Sequence, residues 1–226
     1  MHMKTAAAIL AGGSGRRFGG TVPKQFVKVS GRMIIEYTVD AFEENSLINE
    51  ICVVVNPEYM DIMNAVVKKN GWKKLAAVLP GGKERSDSSL AAVNYYRGQD
   101  MNILIHDAAR PKVSQRIISE AAAALESFPA VCTACPASDT IAVADSECEM
   151  IAEIPPRRLM YHVQTPQGFR LDVIAGAYDA ALKDPDFSAT DDCGVVRKYL
   201  PEIPVKIIEG SPENIKITRA DDIKCL

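Results

Sequence analysis

The sequence predicts an α/β fold, in which a mostly parallel sheet carries helices on both faces and a β-arm is inserted late in the chain. Short apolar runs alternate with stretches of helical period, the pattern produced by parallel strands joined through crossover helices. The 226 residues, 47% of them hydrophobic, supply one large core better than two small ones, so residues 1–226 are read as a single domain. From Asp139 to Phe169 the alternation loosens into short extended pieces, and the arm is placed at about residues 139–163.

The strands expected, in order, are Thr5–Ala11, Glu50–Val55, Leu75–Leu79, Asn102–His106, Ala130–Cys135 and Val205–Ile208, each a short apolar run. Tyr59, Ile62, Met63, Val66 and Val67 recur at helical spacing, as do Ile118, Ala121, Ala122 and Leu125, and both stripes are read as core-facing. Asn56-Pro57 supplies a cap and a proline for the first of these helices, and Ser114 a cap for the second. In the arm, Asp139-Thr140-Ile141-Ala142-Val143 and Met150-Ile151-Ala152-Glu153-Ile154 read as extended pieces, with Pro155-Pro156 behind them.

Charge narrows the function. With 26 basic and 29 acidic side chains the formal charge is −3, so no global field draws the chain to nucleic acid or a membrane surface. An anionic ligand must then be held by a local cluster. The six cysteines follow no framework spacing and are read as thiols; Cys132 and Cys135 point to opposite faces of their strand, which disfavours a shared metal. The apolar run at Thr5–Ala11 is too short to span a bilayer and is not followed by a cleavage site, so a cytosolic location is expected.

The first strand leads directly into Gly12-Gly13-Ser14-Gly15-Arg16-Arg17-Phe18-Gly19-Gly20, with Pro23-Lys24-Gln25 behind. Glycines let backbone N–H groups approach phosphate oxygens closely, and the arginines and lysine add charge-assisted contacts, so the loop suits a polyphosphate. A Walker loop fails for want of a Gly-Lys pair before Thr21. A dinucleotide fingerprint fails because Gly13, Gly15 and Gly19 are spaced one residue too widely and Pro23 interrupts the region.

Further along, Asp107 ends an apolar strand, at the sheet edge where an oxygen ligand can hold Mg²⁺ against nucleotide phosphates; the alternative is a helix N-cap. Arg110 follows closely, as a clamp for a second phosphate or as an ion-pair partner of Asp107. Lys216 alternates with Ile215 and Ile217 in a strand-like pattern that turns it away from their face. His162, Trp72, Tyr95 and Tyr96 read as packing or surface residues.

The glycine loop resembles the nucleotidyltransferase signature of sugar-phosphate pyrophosphorylases. Its Pro-Lys-Gln continuation is similar to that of the cytidylyltransferases that make CDP-methylerythritol or CDP-ribitol. The resemblance continues through Gly81-Gly82-Lys83-Glu84-Arg85-Ser86-Asp87-Ser88, Ile105-His106-Asp107-Ala108-Ala109-Arg110-Pro111, Asp139-Thr140, Gln164-Thr165-Pro166-Gln167, Thr190-Asp191-Asp192 and Glu213-Asn214-Ile215-Lys216-Ile217-Thr218. It covers nearly the whole chain and implies a Rossmann-like sheet of the nucleotide-diphospho-sugar transferase type.

The resemblance also implies roles. Ala11, Gly12, Gly13, Ser14, Gly15, Gly81, Gly82, Lys83, Arg85 and Ser88 would bind the nucleotide, Lys83 standing where many members carry an acidic residue. Arg17, Lys24 and Lys216 would act on the reacting phosphates, with Asp107 on Mg²⁺. Arg110, Thr140, Arg157 and Thr190 would hold the acceptor, Arg157 by reaching a neighbouring subunit's site, which implies a homodimer through the arm.

The implied reaction transfers CMP from CTP to a polyol phosphate with loss of pyrophosphate. A phosphate dianion is already a competent nucleophile, so positioning and charge neutralisation carry the catalysis. Two acceptors remain open. The motifs at 106–111 and 190–192 look like the methylerythritol-phosphate enzymes, which is the reading preferred, and those at 154–157 and 160–167 look like the ribitol-phosphate enzymes. The readings from other classes are an NAD-type binding protein and an inactive nucleotide-binding regulator.

Overall fold

The computed structural model describes residues 3–13 and 22–225. In chain order the elements are β1 (Lys4–Ala11), β2 (Lys28–Val29), β3 (Arg32–Met33), α1 (Ile34–Glu43), β4 (Glu50–Val55), α2 (Met60–Asn70), β5 (Leu75–Pro80), α3 (Arg85–Tyr96), β6 (Met101–Asp107) and α4 (Gln115–Ala124). There follow β7 (Ala130–Pro136), β8 (Val143–Ala144), β9 (Ile151–Glu153), β10 (Tyr161–Arg170), α5 (Leu171–Ala181), α6 (Asp192–Tyr199) and β11 (Val205–Glu209).

β1 is buried from Thr5 to Ala11 without polar interruption, as a strand covered on both faces must be. It sits inside a seven-stranded sheet of order β11-β7-β10-β6-β1-β4-β5. Ala6, Ala8 and Leu10 pack on one side with residues of α3, α5 and α6, while Ala7, Ile9 and Ala11 pack on the other with α1, α2 and α4. The period-two alternation of one strand therefore serves two separate cores. The in-register parallel pairing of β1 with β6 puts Leu10 beside Asp107, and its pairing with β4 puts Ala11 beside Val55. The strand ends that carry the sequence motifs are thus gathered along one edge.

Local signals held where they were strongest. Asn56 Oδ1 accepts from the Glu58 amide at 2.9 Å, capping the 3-10 turn that leads into α2, and Ser114 Oγ accepts from the Ile117 amide at 3.3 Å ahead of α4. In the α2 stripe Met63 and Val66 are buried, whereas Ile62 faces solvent. The arm is a small two-stranded antiparallel sheet of β8 and β9.

Two expectations require correction. β10 is a full member of the main sheet, antiparallel to both β6 and β7, where the sequence pattern offered only the end of the arm. Pro166 removes a ladder donor and the register shifts between Val163 and Gln167, so the segment carries none of the usual marks of an interior strand. The stretch around Lys216 is not a strand; the Ile217 amide donates to the Ala109 carbonyl at 2.8 Å, and no continuous ladder forms. Among the described residues no helix is long and apolar enough to cross a membrane.

Candidate active site

The ends of β1 and β6 and the start of α3 open onto a cleft of about 560 Å³ whose walls include Ala11, Gly12, Gly13, Lys24, Arg85 and Asp107. A Cβ on Gly12 would stand 2.6 Å from Ser88 Oγ and one on Gly81 2.7 Å from the same atom, so a side chain at either position would make the Ser88 hydroxyl turn aside. Gln25, almost fully buried, donates from Nε2 to the carbonyls of Ala11 (2.6 Å) and Gly13 (3.0 Å) and so fixes the exit of β1. Beside it, Lys24 Nζ donates to the Ile217 carbonyl at 2.6 Å, bringing the lysine next to the segment that bears Lys216.

Asp107 is the electrostatic centre. Lys216 Nζ lies 2.9 Å from Oδ2, Arg85 Nε 3.2 Å from Oδ1, and Arg110 Nε 3.7 Å from Oδ2. Burial opposes the charge on this carboxyl, but Lys216 and then Arg85 outweigh it and hold the group well below the usual carboxylate range. Asp107 is followed by a turn, with the Arg110 amide donating to its carbonyl at 3.0 Å, so the helix-cap reading does not apply.

One residue earlier, His106 is wholly buried. Its Nε2 lies 3.1 Å from the Arg110 carbonyl, which can only accept, so Nε2 carries the proton and Nδ1 accepts from the Thr165 hydroxyl at 3.0 Å. Thr165 Oγ1 in turn accepts from the Asp107 amide at 3.1 Å. Burial pushes His106 down to about 4, which keeps it neutral in this role. Sequence reasoning quoted His106 only as part of a motif; its place at the end of an apolar strand was the available signal.

A smaller cleft of about 280 Å³ adjoins the first and is walled by Arg110, Gln164, Thr165 and Gln167. Arg85, Asp107, Thr190 and Lys216 line both and form the partition between them. Arg110 Nη1 is fixed by the Asn214 carbonyl at 2.7 Å, and Asn214 Nδ2 donates to the Thr165 carbonyl at 2.8 Å.

Of the residues singled out in the sequence, Ala11, Gly12, Gly13, Lys24, Lys83, Arg85, Ser88, Asp107, Thr190 and Lys216 line the larger cleft. Gly81 and Gly82 lie where β5 turns into α3, and Arg110 lines the smaller cleft. Ser14, Gly15 and Arg17 lie outside the described residues. Thr140 and Arg157 sit on the exposed arm, where Arg157 Nη1 donates to the Ser138 carbonyl at 3.2 Å; neither lines either of these two clefts. His162 is exposed.

The model of the family described as 2-C-methyl-D-erythritol 4-phosphate cytidylyltransferase (IspD) matches residues 5–225. The chain belongs to this cytidylyltransferase family. It is 42% identical over 225 residues to the 2-C-methyl-D-erythritol 4-phosphate cytidylyltransferase of Thermobifida fusca, an alignment covering 97% of this chain and 90% of the relative. A bifunctional ribulose 5-phosphate reductase/CDP-ribitol pyrophosphorylase of Haemophilus influenzae is 40% identical over 222 residues, covering 97% of this chain and 47% of that protein. Among solved structures, 4-diphosphocytidyl-2C-methyl-D-erythritol synthase of Anaerococcus prevotii superposes with a TM-score of 0.87 at 28% identity, covering 98% of this chain and 93% of that one.

As a member of the cytidylyltransferase family the chain is a nucleotidyltransferase, and the NAD-type and inactive-regulator readings are set aside. Among the described residues no three His, Cys, Asp or Glu side chains gather into a metal cage. Asp107 is a buried carboxylate that lines the cleft among cations, a donor set that fits a magnesium ion brought in largely by nucleotide phosphates.

Proposed function

We propose that the protein transfers CMP from CTP to 2-C-methyl-D-erythritol 4-phosphate, releasing pyrophosphate. The observation that carries this reading is the partition of Arg85, Asp107, Thr190 and Lys216 between two adjoining clefts, one large enough for a nucleotide and one for a small phosphorylated acceptor. A phosphate oxygen of the acceptor attacks the α-phosphorus of CTP, forming the new P–O bond as the bond to the β-phosphate oxygen breaks. The electron pair leaves on pyrophosphate, and no proton need be removed from the nucleophile.

The chain's own groups supply position and charge. Lys24 and Lys216 approach the reacting phosphates from neighbouring backbone, and the sequence motif assigns Arg17 to the triphosphate. Arg110 and Thr190 hold the acceptor in the smaller cleft. Asp107 would hold a magnesium ion arriving with the nucleotide, which would supply neutralisation of phosphate charge. Gly81, Gly82, Lys83, Arg85 and Ser88 frame the nucleotide end, where close-packed backbone suits the small edge of a pyrimidine.

The reading includes a homodimer with residues 1–226 as one catalytic domain. The arm exposes Met150, Ile151, Ile154 and Leu159, apolar surface that a second copy would cover, and Thr140 and Arg157 on the same arm would complete the neighbour's acceptor site. A cytosolic location follows from the charged, phosphorylated substrates. Transfer to ribitol 5-phosphate is the second reading, supported by the likeness to the Haemophilus influenzae protein.

Incubation with CTP, Mg²⁺ and either acceptor, followed by pyrophosphate release and mass detection of the CDP-polyol, tests the activity. Acceptor-dependent release is expected. CTP binding without release in the presence of both acceptors would contradict it.

A further inference from the structure

The Thr190-Asp191-Asp192 segment does more than offer Thr190 to the acceptor cleft. Asp192 begins α6 and is wholly buried. Its Oδ1 accepts from the Tyr178 hydroxyl at 2.7 Å, and its Oδ2 is 2.8 Å from Arg85 Nη1. Its amide, with that of Cys193, donates to Gln167 Oε1 at 2.9 and 3.0 Å, while Gln167 Nε2 donates to Asp191 Oδ2 at 2.7 Å. Gln167 is itself wholly buried on β10. Tyr178 thus holds one carboxylate oxygen and Gln167 the backbone of Asp192, leaving the other oxygen to Arg85.

Arg85 is the recipient of that fixing. It opens α3, where the helix dipole disfavours a cation. Residues that break a local rule in this way concentrate at functional sites. The misplacement is offset by two carboxylates, Asp192 from one direction and Asp107 from the other. Arg85 lines both clefts. Tyr178, Asp192, Arg85, Asp107 and Lys216 thus form one unbroken chain of contacts of alternating charge, running from the core under α5 to the reacting centre.

We infer that Asp192 is a positioning residue for cytidylyl transfer: it sets Arg85 in the partition between the clefts, and through Arg85 it sets Asp107 against Lys216. With Asp192 neutralised, Arg85 has only Asp107 as an ionic partner and is drawn toward it, competing with Lys216 and shifting the wall shared by nucleotide and acceptor. The effect falls on the transfer step and on the acceptor more than on the affinity for CTP, whose cleft is also walled by Ala11, Gly12, Gly13, Lys83 and Ser88, residues outside this chain of contacts. This rests on the proposed two-cleft reading.

The test is Asp192→Asn, which keeps the side chain's shape and an acceptor for Tyr178. At saturating CTP, kcat is expected to fall tenfold or more and the acceptor KM to rise, while the Kd for CTP, by equilibrium titration, stays within about threefold. In a double-mutant cycle with Arg85→Met the losses in kcat should be non-additive, the pair being no slower than Arg85→Met alone. A folded Asp192→Asn enzyme with kcat and acceptor KM within threefold of wild type overturns the inference, as do additive losses. If Asp192→Asn does not fold, Tyr178→Phe frees one carboxylate oxygen while leaving the ion pair, and a kcat three- to tenfold below wild type is expected; wild-type kcat there overturns the inference. Absence of transfer by the wild-type enzyme would instead count against the functional reading itself.

Discussion

Lys216 Nζ stands 2.9 Å from Asp107 Oδ2, and the Ile217 carbonyl beside Lys216 accepts from Lys24 Nζ at 2.6 Å. The two lysines assigned to the reacting phosphates come from positions near opposite ends of the chain, yet they meet at one backbone segment. Lys24→Ala and Lys216→Ala should each lower kcat about a hundredfold or more, the effect of removing one preorganised donor from a site of developing charge. Steady-state rates within about threefold of wild type for either variant would remove that lysine from the reacting centre.

Ser88 Oγ stands where a Cβ on Gly12 or on Gly81 would meet it, at 2.6 and 2.7 Å. Gly12→Ala should weaken CTP binding about tenfold, roughly 1.4 kcal/mol. Because the new methyl group and Ser88 Oγ compete for one space, the double variant Gly12→Ala/Ser88→Ala should bind no worse than Gly12→Ala alone. Isothermal titration with CTP reads both; additive losses would mean that the clash is not the cause.

His106 and Asp107 make the site's integrity acid-sensitive in the same direction. The folded-state pKa of His106, about 4, lies below the ordinary 6.5, so the unfolded chain takes up the proton more readily. The stability from keeping it neutral is fully present above pH 6.5 and is lost as pH falls toward 4, a change of about 3 kcal/mol. The lowered pKa of Asp107 adds a contribution that is present above the ordinary carboxylate pKa and is lost only in stronger acid. Urea midpoints at pH 7.5 and 4.5 should therefore drop for the wild type and drop less for His106→Asn. Equal slopes for the two proteins would contradict the assignment.

Ile151 and Leu159 are 67% and 60% exposed on the arm. Ile151→Asp/Leu159→Asp should convert a dimer into a monomer in sedimentation equilibrium and reduce activity in parallel, since Thr140 and Arg157 then reach no site. A variant that stays dimeric, or a wild type that is monomeric at micromolar concentration, would dissociate the arm from assembly.

The sheet and most of the cleft were legible because each signal was local. An apolar run such as Thr5–Ala11 reads as a strand covered on both faces, and Gly12, Gly13 and Lys24 behind it line the cleft at its carboxyl end. β10 was not legible: Gln164, Pro166, Gln167 and Gly168 argue against an interior strand. Gln167 is there to receive the amides of Asp192 and Cys193, and Gly168 because a Cβ would meet Leu104 and Val131. Such reasons lie in partners distant along the chain. Arg85 was hidden in the same way, since its carboxylates are 22 and 107 residues away and its motif position pointed only to the nucleotide.

The measurement that tests the account most directly is kcat/KM with CTP for 2-C-methyl-D-erythritol 4-phosphate against ribitol 5-phosphate, read as pyrophosphate released. The account predicts a preference for the methylerythritol acceptor of tenfold or more, about 1.4 kcal/mol in transition-state binding. A tenfold preference for ribitol 5-phosphate would contradict the acceptor assignment while leaving the transfer chemistry intact, and failure to turn over either acceptor would contradict the account as a whole.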